Sequence, residues 1–322
     1  MTHYFRWLAR VLVFAGLVLS ETCGATGTYP NRTVRFIVPF PAATPPDFLA
    51  RIAAQKLAPS WGIPVIVEVR DGAGGIIGVD QVVRAAPDGY TLLFTNDLPI
   101  AIAPALLNTP YDPRKDLAPI SAVAQGASVL VVHPSAGVSS VGELISAAKA
   151  RPGALTFASS GDASTSRMCV ELLKQSTGID LIQVPYKGAA PAIQAVITGE
   201  VSMYCSPAFQ ALPHIKSGKL KALGVTSAIP SPLMPEVRPL AAQGLPRVVV
   251  STWYGVFARF GTPPAVLHKI SDSLKRIFDD TDVRQKLSVV GLEPTWMNAT
   301  ELDETVRSDI EKWTKVARSV GR

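Results

Sequence analysis

The chain has 322 residues, of which 48% are hydrophobic and 17% are charged. This composition excludes a disordered tail and is enough for two domains of about 150 residues each. The formal net charge of +6 is dispersed along the chain, and because aromatic residues do not interleave the basic ones, we expect no nucleic-acid partner.

Residues 1–25 have the pattern of a secretory signal peptide. Arg6 lies ahead of an apolar run over residues 11–19, which is shorter than the ~20 residues that span a bilayer. The small residues that end at Ala25 resemble a cleavage site. We therefore expect cleavage after Ala25 and a periplasmic mature protein. A lipoprotein attached through Cys23 and an uncleaved membrane anchor are the alternatives.

The next part of the chain alternates short apolar runs with amphipathic helical patterns. Strands are predicted at residues 34–38, 64–69 and 91–95, and helices at residues 47–57 and 78–86. This β-α-β-α rhythm is typical of a parallel sheet with helices on both faces.

A similar alternation restarts after a hinge-like segment near residues 125–129. It predicts strands at residues 129–133, 155–158, 182–184, 201–205 and 222–225, and helices at residues 141–150, 164–178 and 191–198. A proline-rich passage leads to a strand-like run at residues 248–257. Three helical patterns, at residues 263–279, 281–290 and 300–320, complete the chain.

These elements predict an α/β protein with two lobes. We assign residues 26–125 and 253–322 to the first lobe and residues 126–252 to the second. Because the chain crosses between the lobes twice, the crossings predict a hinge that closes on a ligand in the cleft. Two independent tandem domains are the alternative, although terminal helices without a predicted sheet of their own favour packing on the first lobe.

Ligands of open α/β sheets bind beyond the carboxyl ends of strands, where helix N-termini attract anions. Residues 39–47 and 158–166 are turns of this kind, and residues 184–191 form a third candidate. Each has a purely structural alternative. Asp47 is a favoured helix-capping residue, the serine-rich turn needs only one capping hydroxyl, and the third turn is equally typical of a solvated loop.

Motifs of enzymes are incomplete. The glycines at residues 72–78 miss the dinucleotide-binding spacing by one position, and Ser146 to Lys149 matches S-x-x-K without its partner motifs. The four histidines show no metal-binding spacing. We therefore expect no catalytic residues, metal or cofactor. A hydrolase on a similar scaffold stays an alternative, which requires a nucleophile beside a base.

Two cysteines remain after residue 25, Cys169 and Cys205. In an oxidising compartment they can form one disulfide, but the sequence cannot give the distance between their Cα atoms. Two packed, unpaired thiols are the alternative.

A series of motifs extends across the chain in a fixed order. They occupy residues 38–42, 72–75, 86–93, 110–113, 158–161, 184–188, 212–215 and 253–255. Together they resemble the extracytoplasmic solute receptors of the tripartite tricarboxylate transporter family, also called Bug-type receptors. The resemblance implies a type II-like periplasmic-binding-protein fold, with two parallel-rich sheets flanked by helices, a hinge and an interlobe ligand cleft.

The family resemblance also implies a function. Its members bind small carboxylates and deliver them to a membrane permease made of a large and a small subunit, and some sense ligands instead. We expect a monomer whose partners are a small organic acid and the permease subunits. The ligand-binding residues expected in this chain are Phe40, Pro41, Ala42, Ala43, Thr44, Asp47, Ser159, Ser160, Ser164, Thr165, Arg167, Tyr186, Lys187, Gly188 and Ser206.

The chain departs from the family at the expected pocket. Ala43 and Thr44 stand where the family usually has two glycines, and Pro46 stands where it has a small hydroxyl residue. Arg167 replaces a usual histidine, and Ser206 is one of two serines where acidic residues are common. Because proline has no backbone N–H, the departures alter the expected pocket rim while keeping the scaffold, and we assign no known member's ligand to this chain.

Overall fold

The computed structural model of the protein describes residues 29–162 and 164–319, except for the side chain of Ser319. The expected signal peptide therefore lies outside the described residues. In the part of the chain that is described, no helix is both long enough and apolar enough to cross a membrane.

The first of two sheets has the strand order β2-β1-β3-β9-β4, and β10 pairs with β4 as well. Strands β1 to β3 are parallel, whereas β9, β4 and β10 join in antiparallel pairs. The strands are β1 (Val34–Val38), β2 (Val65–Val69), β3 (Thr91–Asn96), β4 (Leu117–Val132), β9 (Ser251–Arg259) and β10 (Glu293–Met297). The helices of this part are α1 (Pro45–Trp61), α2 (Ile76–Val83), α3 (Ala103–Leu106), α4 (Pro113–Asp116), α9 (Pro264–Phe278), α10 (Thr281–Val289) and α11 (Ala299–Ser319).

The second sheet is built on the other end of β4. There β4 lies antiparallel to β7 and β8, and β5 lies parallel to β7 and β6. Its further strands are β5 (Thr156–Ser159), β6 (Ile182–Pro185), β7 (Met203–Pro207) and β8 (Lys221–Val225). Its helices are α5 (Val141–Ala150), α6 (Thr165–Thr177), α7 (Ala189–Ile197) and α8 (Ala208–Lys216).

Strand β4 belongs to both sheets. Its pairing with β9 ends where Ala127 lies opposite Ser251, and its pairing with β7 begins where Ser128 lies opposite Pro207. The transition falls in the segment that the sequence predicts as a hinge. The chain returns to the first sheet through residues 226–250, which connect β8 to β9.

The structure confirms the α/β class and most of the predicted elements, and it adds helices that the sequence did not predict, among them α8 (Ala208–Lys216). The segment before residue 129 is a strand, because β9 and β10 flank it on both sides and bury residues such as Ile120 and Val123. Its Ala, Ser, Pro and Gly content gives little intrinsic strand preference. Strand β10, which lies between the last two helices, was not predicted; because it pairs with β4 in the first sheet, these helices have no separate sheet. The sheets are also mixed rather than purely parallel.

The apolar positions that predicted these elements are the ones buried in the core. In β1, Phe36 is fully buried and its ring meets that of Phe94 edge-on, with centroids 5.7 Å apart. In α9, Ile270, Leu274 and Ile277 are buried at helical spacing, as expected for an amphipathic helix covering a sheet. These packed layers hold the strand ends from which the cavity is built.

Candidate functional site

A cavity of about 460 Å³ lies between the two sheets, within the size range of small-molecule sites. The loop after β1, the end of β3 and the turn after β5 all contribute to its wall, and Gly126 and Ala127 line it where β4 passes between the sheets. The expected ligand residues that line it are Phe40, Thr44, Ser160, Ser164 and Thr165.

The loop after β1 presents Phe40, Thr44, Pro45 and Pro46 to the cavity. Thr44 donates a hydrogen bond to the Pro41 carbonyl over 2.7 Å, which closes the loop on itself. Helix α1 begins directly after Thr44, with both prolines in its first turn. Proline suits the first helical position because that N–H has no intrahelical partner.

Asp47 fixes the loop after β1 from outside the cavity. It is 3% exposed, accepts a hydrogen bond from the Ala43 amide over 3.0 Å, and pairs with Arg51 over 2.9 Å. Burial favours a higher pKa for Asp47, but the hydrogen bonds from Arg51 and Ala43 outweigh it and hold the pKa below the usual value. Asp47 therefore positions the loop and does not line the cavity in this structure.

Ala43 keeps a backbone conformation that usually belongs to glycine. Its φ is 63°, in the left-handed region that costs a residue with a Cβ about 1 kcal/mol. The family resemblance implies a glycine at this position, and the positive φ of Ala43 fits that expectation. Pro41, Ala42 and Ala43 do not line the cavity.

The turn after β5 is a network of serine hydroxyls. Ser164 caps helix α6 by accepting from the Arg167 amide over 3.3 Å, and it donates to the Gly161 carbonyl over 2.6 Å. The Ser166 hydroxyl lies 3.0 Å from the hydroxyls of both Ser160 and Ser164. Helix α6 begins at this network, beside the cavity. The N–H groups of its first turn favour a negatively charged ligand there.

Thr165 differs from its serine neighbours. It is the first residue of α6 and lines the cavity. Within residues 29–162 and 164–319, its hydroxyl makes no hydrogen bond. It is therefore available to a ligand, while Ser164 is engaged in capping.

The remaining predicted residues lie around the cavity without lining it. Ser159 is buried and accepts from Gln183 over 2.8 Å. The Arg167 guanidinium donates to the Asp162 carbonyl over 3.1 Å. Tyr186 donates to Glu200 over 2.9 Å, Lys187 is exposed, Gly188 leads into α7, and buried Ser206 donates to the Pro207 carbonyl.

Sequence reasoning missed a group of residues that line the cavity: Asn96, Ser128, Tyr204, Phe209, Thr252 and Tyr254. Asn96 ends β3, and the carboxyl end of that strand is a signal that could have found it. The others come from β4, β7, β9 and the start of α8, whose positions at the cavity depend on pairing between distant segments.

Tyr204 is a buried member of this group. It is 0% exposed, and its hydroxyl has no hydrogen-bond partner among the described residues. Burial raises the pKa of Tyr204 to about 12, and the neighbouring hydroxyls of Ser160 and Ser166 oppose that rise. A buried hydroxyl without a partner is costly, so its position beside the serine turn suits a ligand oxygen.

Asp97 lies just beneath the cavity, between the lining residues Asn96 and Leu98. It is 1% exposed, and both carboxyl oxygens lack a partner among the residues described. Burial and the charge of Asp309 hold the pKa of Asp97 well above its usual value, against the opposing effect of Lys312. Its environment therefore favours the protonated form.

Cys169 and Cys205 form a disulfide with their Cα atoms 6.4 Å apart. This resolves the two alternatives left by the sequence. The bond joins α6 to β7, and Cys205 itself lines the cavity. It therefore ties the serine-rich helix start to the strand that carries Tyr204. In the described ranges, no three His, Cys, Asp or Glu side chains are grouped to hold a metal ion.

Comparison with known proteins identifies relatives of this arrangement. BugT from Bordetella pertussis is 33% identical over 321 residues, which cover 98% of each chain. The solved structure of R. palustris Rpa4515 with adipate has a TM-score of 0.80 and 30% identity, covering 91% of this chain and 98% of that one. MatC from Rhodopseudomonas palustris with bound malate has a TM-score of 0.77 and 30% identity, covering 90% of this chain and all of that one.

A further neighbour is the periplasmic binding protein BugD, with a TM-score of 0.77 and 31% identity, covering 91% of this chain and 99% of that one. These neighbours confirm the two-lobed α/β fold. The model of the family described as tripartite tricarboxylate transporter family receptor matches residues 49–322. The chain therefore belongs to the tripartite tricarboxylate transporter receptor family.

Proposed function

We propose that this protein is a periplasmic receptor that captures a small organic carboxylate between its lobes and delivers it to the permease of a tripartite tricarboxylate transporter. The observation that carries the proposal is the start of α6 at the cavity, where the hydroxyls of Thr165 and Tyr204 have no hydrogen-bond partner among the described residues. Relatives solved with adipate and with malate support a carboxylate.

The lobes proposed for this function are residues 26–125 with 253–322, and residues 126–252. They close about the two crossings near residues 125–129 and 250–255. Small-angle scattering should give a smaller radius of gyration with a saturating acid than without it. An unchanged radius in the presence of a bound acid would contradict closure.

Ligand capture is tested by a thermal-shift screen of organic acids and their uncharged amides. A ligand that binds only the folded state raises Tm by mass action. We expect acids to raise Tm and their amides to have no effect, because the α6 start favours negative charge. Equal shifts with acid and amide would contradict the proposal, and catalytic turnover of the bound acid would indicate an enzyme.

Delivery is tested in the source cell. Deleting the gene should abolish uptake of the acid that binds, and the expression of Thr165→Ala should restore uptake poorly. Normal uptake together with a lost transcriptional response would indicate a sensor. The mature protein should be found in the periplasm, beginning near Thr26, and should be a monomer by light scattering.

A further inference from the structure

Resting on the proposed function, we infer that the ligand carries a single carboxylate on an apolar body. The carboxylate lies against the start of α6, and the uncharged end of the ligand points to the start of α1. The two helix starts face the same cavity from opposite sheets, through Thr165 on one side and Pro45 and Pro46 on the other. Their capacities to hold an anion are very different.

The start of α6 offers hydrogen-bond donors that a ligand can use. Thr165 and Ser166, at its first two helical positions, carry N–H groups, whereas the Arg167 amide donates to Ser164. The Thr165 hydroxyl is free within the described part of the chain, and the fully buried Tyr204 hydroxyl lies beside Ser160 and Ser166 without a partner there. These groups suit one carboxylate, because its two oxygens accept several hydrogen bonds.

The α1 side is poor in donors. Pro45 and Pro46 occupy its first two helical positions, and proline has no N–H. The Ala43 amide before them is taken by Asp47, and the Thr44 hydroxyl by the Pro41 carbonyl. Of the first three positions in α1, only Asp47 carries an N–H, so this helix start cannot bind an anion as the other does.

Apolar side chains form a large part of the cavity wall. Phe40, Leu98, Ala103, Leu107 and Phe209 line it, and Leu107 and Phe209 remain 40% and 36% exposed. Exposed side chains of this size are covered favourably by an apolar ligand, at about 25 cal/mol per Å² of buried area. A charged group placed there would lose its hydration without a partner.

Charge also disfavours a second carboxylate. Throughout the described ranges, no charged side chain lines the cavity. The buried ionisable group at the start of α1 is Asp47, and it is already paired with Arg51. A second carboxylate would therefore meet no cation in the described cavity wall.

The test compares hexanoate, adipate and 6-aminohexanoate, which differ only at the far end of the chain. The pair benzoate and terephthalate repeats the comparison on a rigid body. Isothermal titration of the mature protein should give at least about tenfold tighter binding of the monoacid in each series, since each unmade hydrogen bond to a charged group costs that much or more.

The other outcomes separate this inference from the proposed function. Tighter binding of adipate or terephthalate would overturn the single carboxylate while leaving a carboxylate receptor. Preference for 6-aminohexanoate would overturn the apolar far end and indicate that Asp97 pairs with a cation. If no acid binds in either series while an amide does, both the inference and the proposed function fail.

A variant tests the role of the α1 prolines directly. Pro46→Ala restores one N–H to the α1 start, so it should improve adipate binding about tenfold relative to hexanoate. The control is Pro264→Ala, which makes the same change at the exposed first position of α9, away from the cavity. Ligand-free Tm verifies that both variants fold. Equal effects on adipate and hexanoate in Pro46→Ala would overturn the role assigned to α1.

Discussion

Gly291, which follows α10, packs directly against the backbone of Phe209 at the start of α8. A Cβ on Gly291 would lie 2.6 Å from the Phe209 Cα, closer than real Cβ contacts come. Helix α10 belongs to the first sheet and α8 to the second, and Phe209 also lines the cavity. The absence of a side chain at Gly291 therefore permits the two layers to meet beside the proposed ligand site.

Gly291→Ala should hold the lobes apart. We expect a larger radius of gyration by small-angle scattering and weaker binding of the best acid by isothermal titration. The substitution also places a Cβ at a φ of 76°, which costs roughly 1–2 kcal/mol of stability by itself.

The matched control is Gly218→Ala. Gly218 has a φ of 72°, but a Cβ there would meet no atom within 4 Å. The two variants share the backbone strain and differ in the contact with Phe209. Equal affinities and radii in both variants would show that the contact does not govern closure.

Substitution of Ser164 should lower stability, whereas substitution of Thr165 should weaken ligand binding. Ser164→Ala removes the α6 cap, so the free energy of unfolding should fall by about 1 kcal/mol. Thr165→Ala removes a hydroxyl without an internal partner, so ligand-free Tm should be unchanged while binding of the acid weakens by about 1.5–3 kcal/mol. Denaturant unfolding and titration on both proteins decide between these roles. Unchanged affinity in Thr165→Ala would remove its hydroxyl from the site.

Reduction of the Cys169–Cys205 disulfide should destabilise the protein. The bond closes a segment with a sequence separation of 36, and a chain-entropy estimate for such a loop is about 4 kcal/mol. A reductant should lower Tm of the wild-type protein and leave the Cys169→Ala, Cys205→Ala double variant unaffected. Equal Tm of the wild-type protein with and without reductant would contradict this prediction.

Asp97 should make stability fall as pH rises. Its raised pKa, caused first by burial and then by Asp309, means that the folded protein keeps a proton that the unfolded chain releases. Relative to Asp97→Asn, the wild-type protein should lose stability above the usual Asp pKa of about 3.9 and level off above the folded-state value. Urea unfolding across this range measures the difference, and a constant difference would refute it.

Asp47 should give the opposite dependence of stability on pH, and it therefore serves as a control for Asp97. Its pKa is lowered because the hydrogen bonds from Arg51 and Ala43 outweigh its burial. The ionised form therefore stabilises the fold, and this contribution is lost as pH falls through the lowered pKa. The advantage of the wild-type protein over Asp47→Asn should be largest near neutral pH and should shrink in acid.

The sequence by itself determined the α/β alternation and the loops that surround the cavity. Strand β1 and helix α5 have the predicted bounds, because their periodicity and caps are local: Ser140 accepts from the Glu143 amide, and Glu143 accepts from Ser139. The serine-rich start of α6 and the proline-rich start of α1 could likewise be identified from the sequence, since each follows a predicted strand.

Only the tertiary structure decided which residues meet across the cavity. The extension of β4, the position of β10, the disulfide, the unpartnered Tyr204 and the buried Asp97 all depend on contacts between distant segments. Residues 117–128 illustrate the reason, because the alanines, serines, proline and glycine among them give little intrinsic preference for a strand. They become a strand where β9 pairs with residues 117–127 and β10 pairs with residues 122–125 on the other side, and that pairing carries the chain from one lobe into the other.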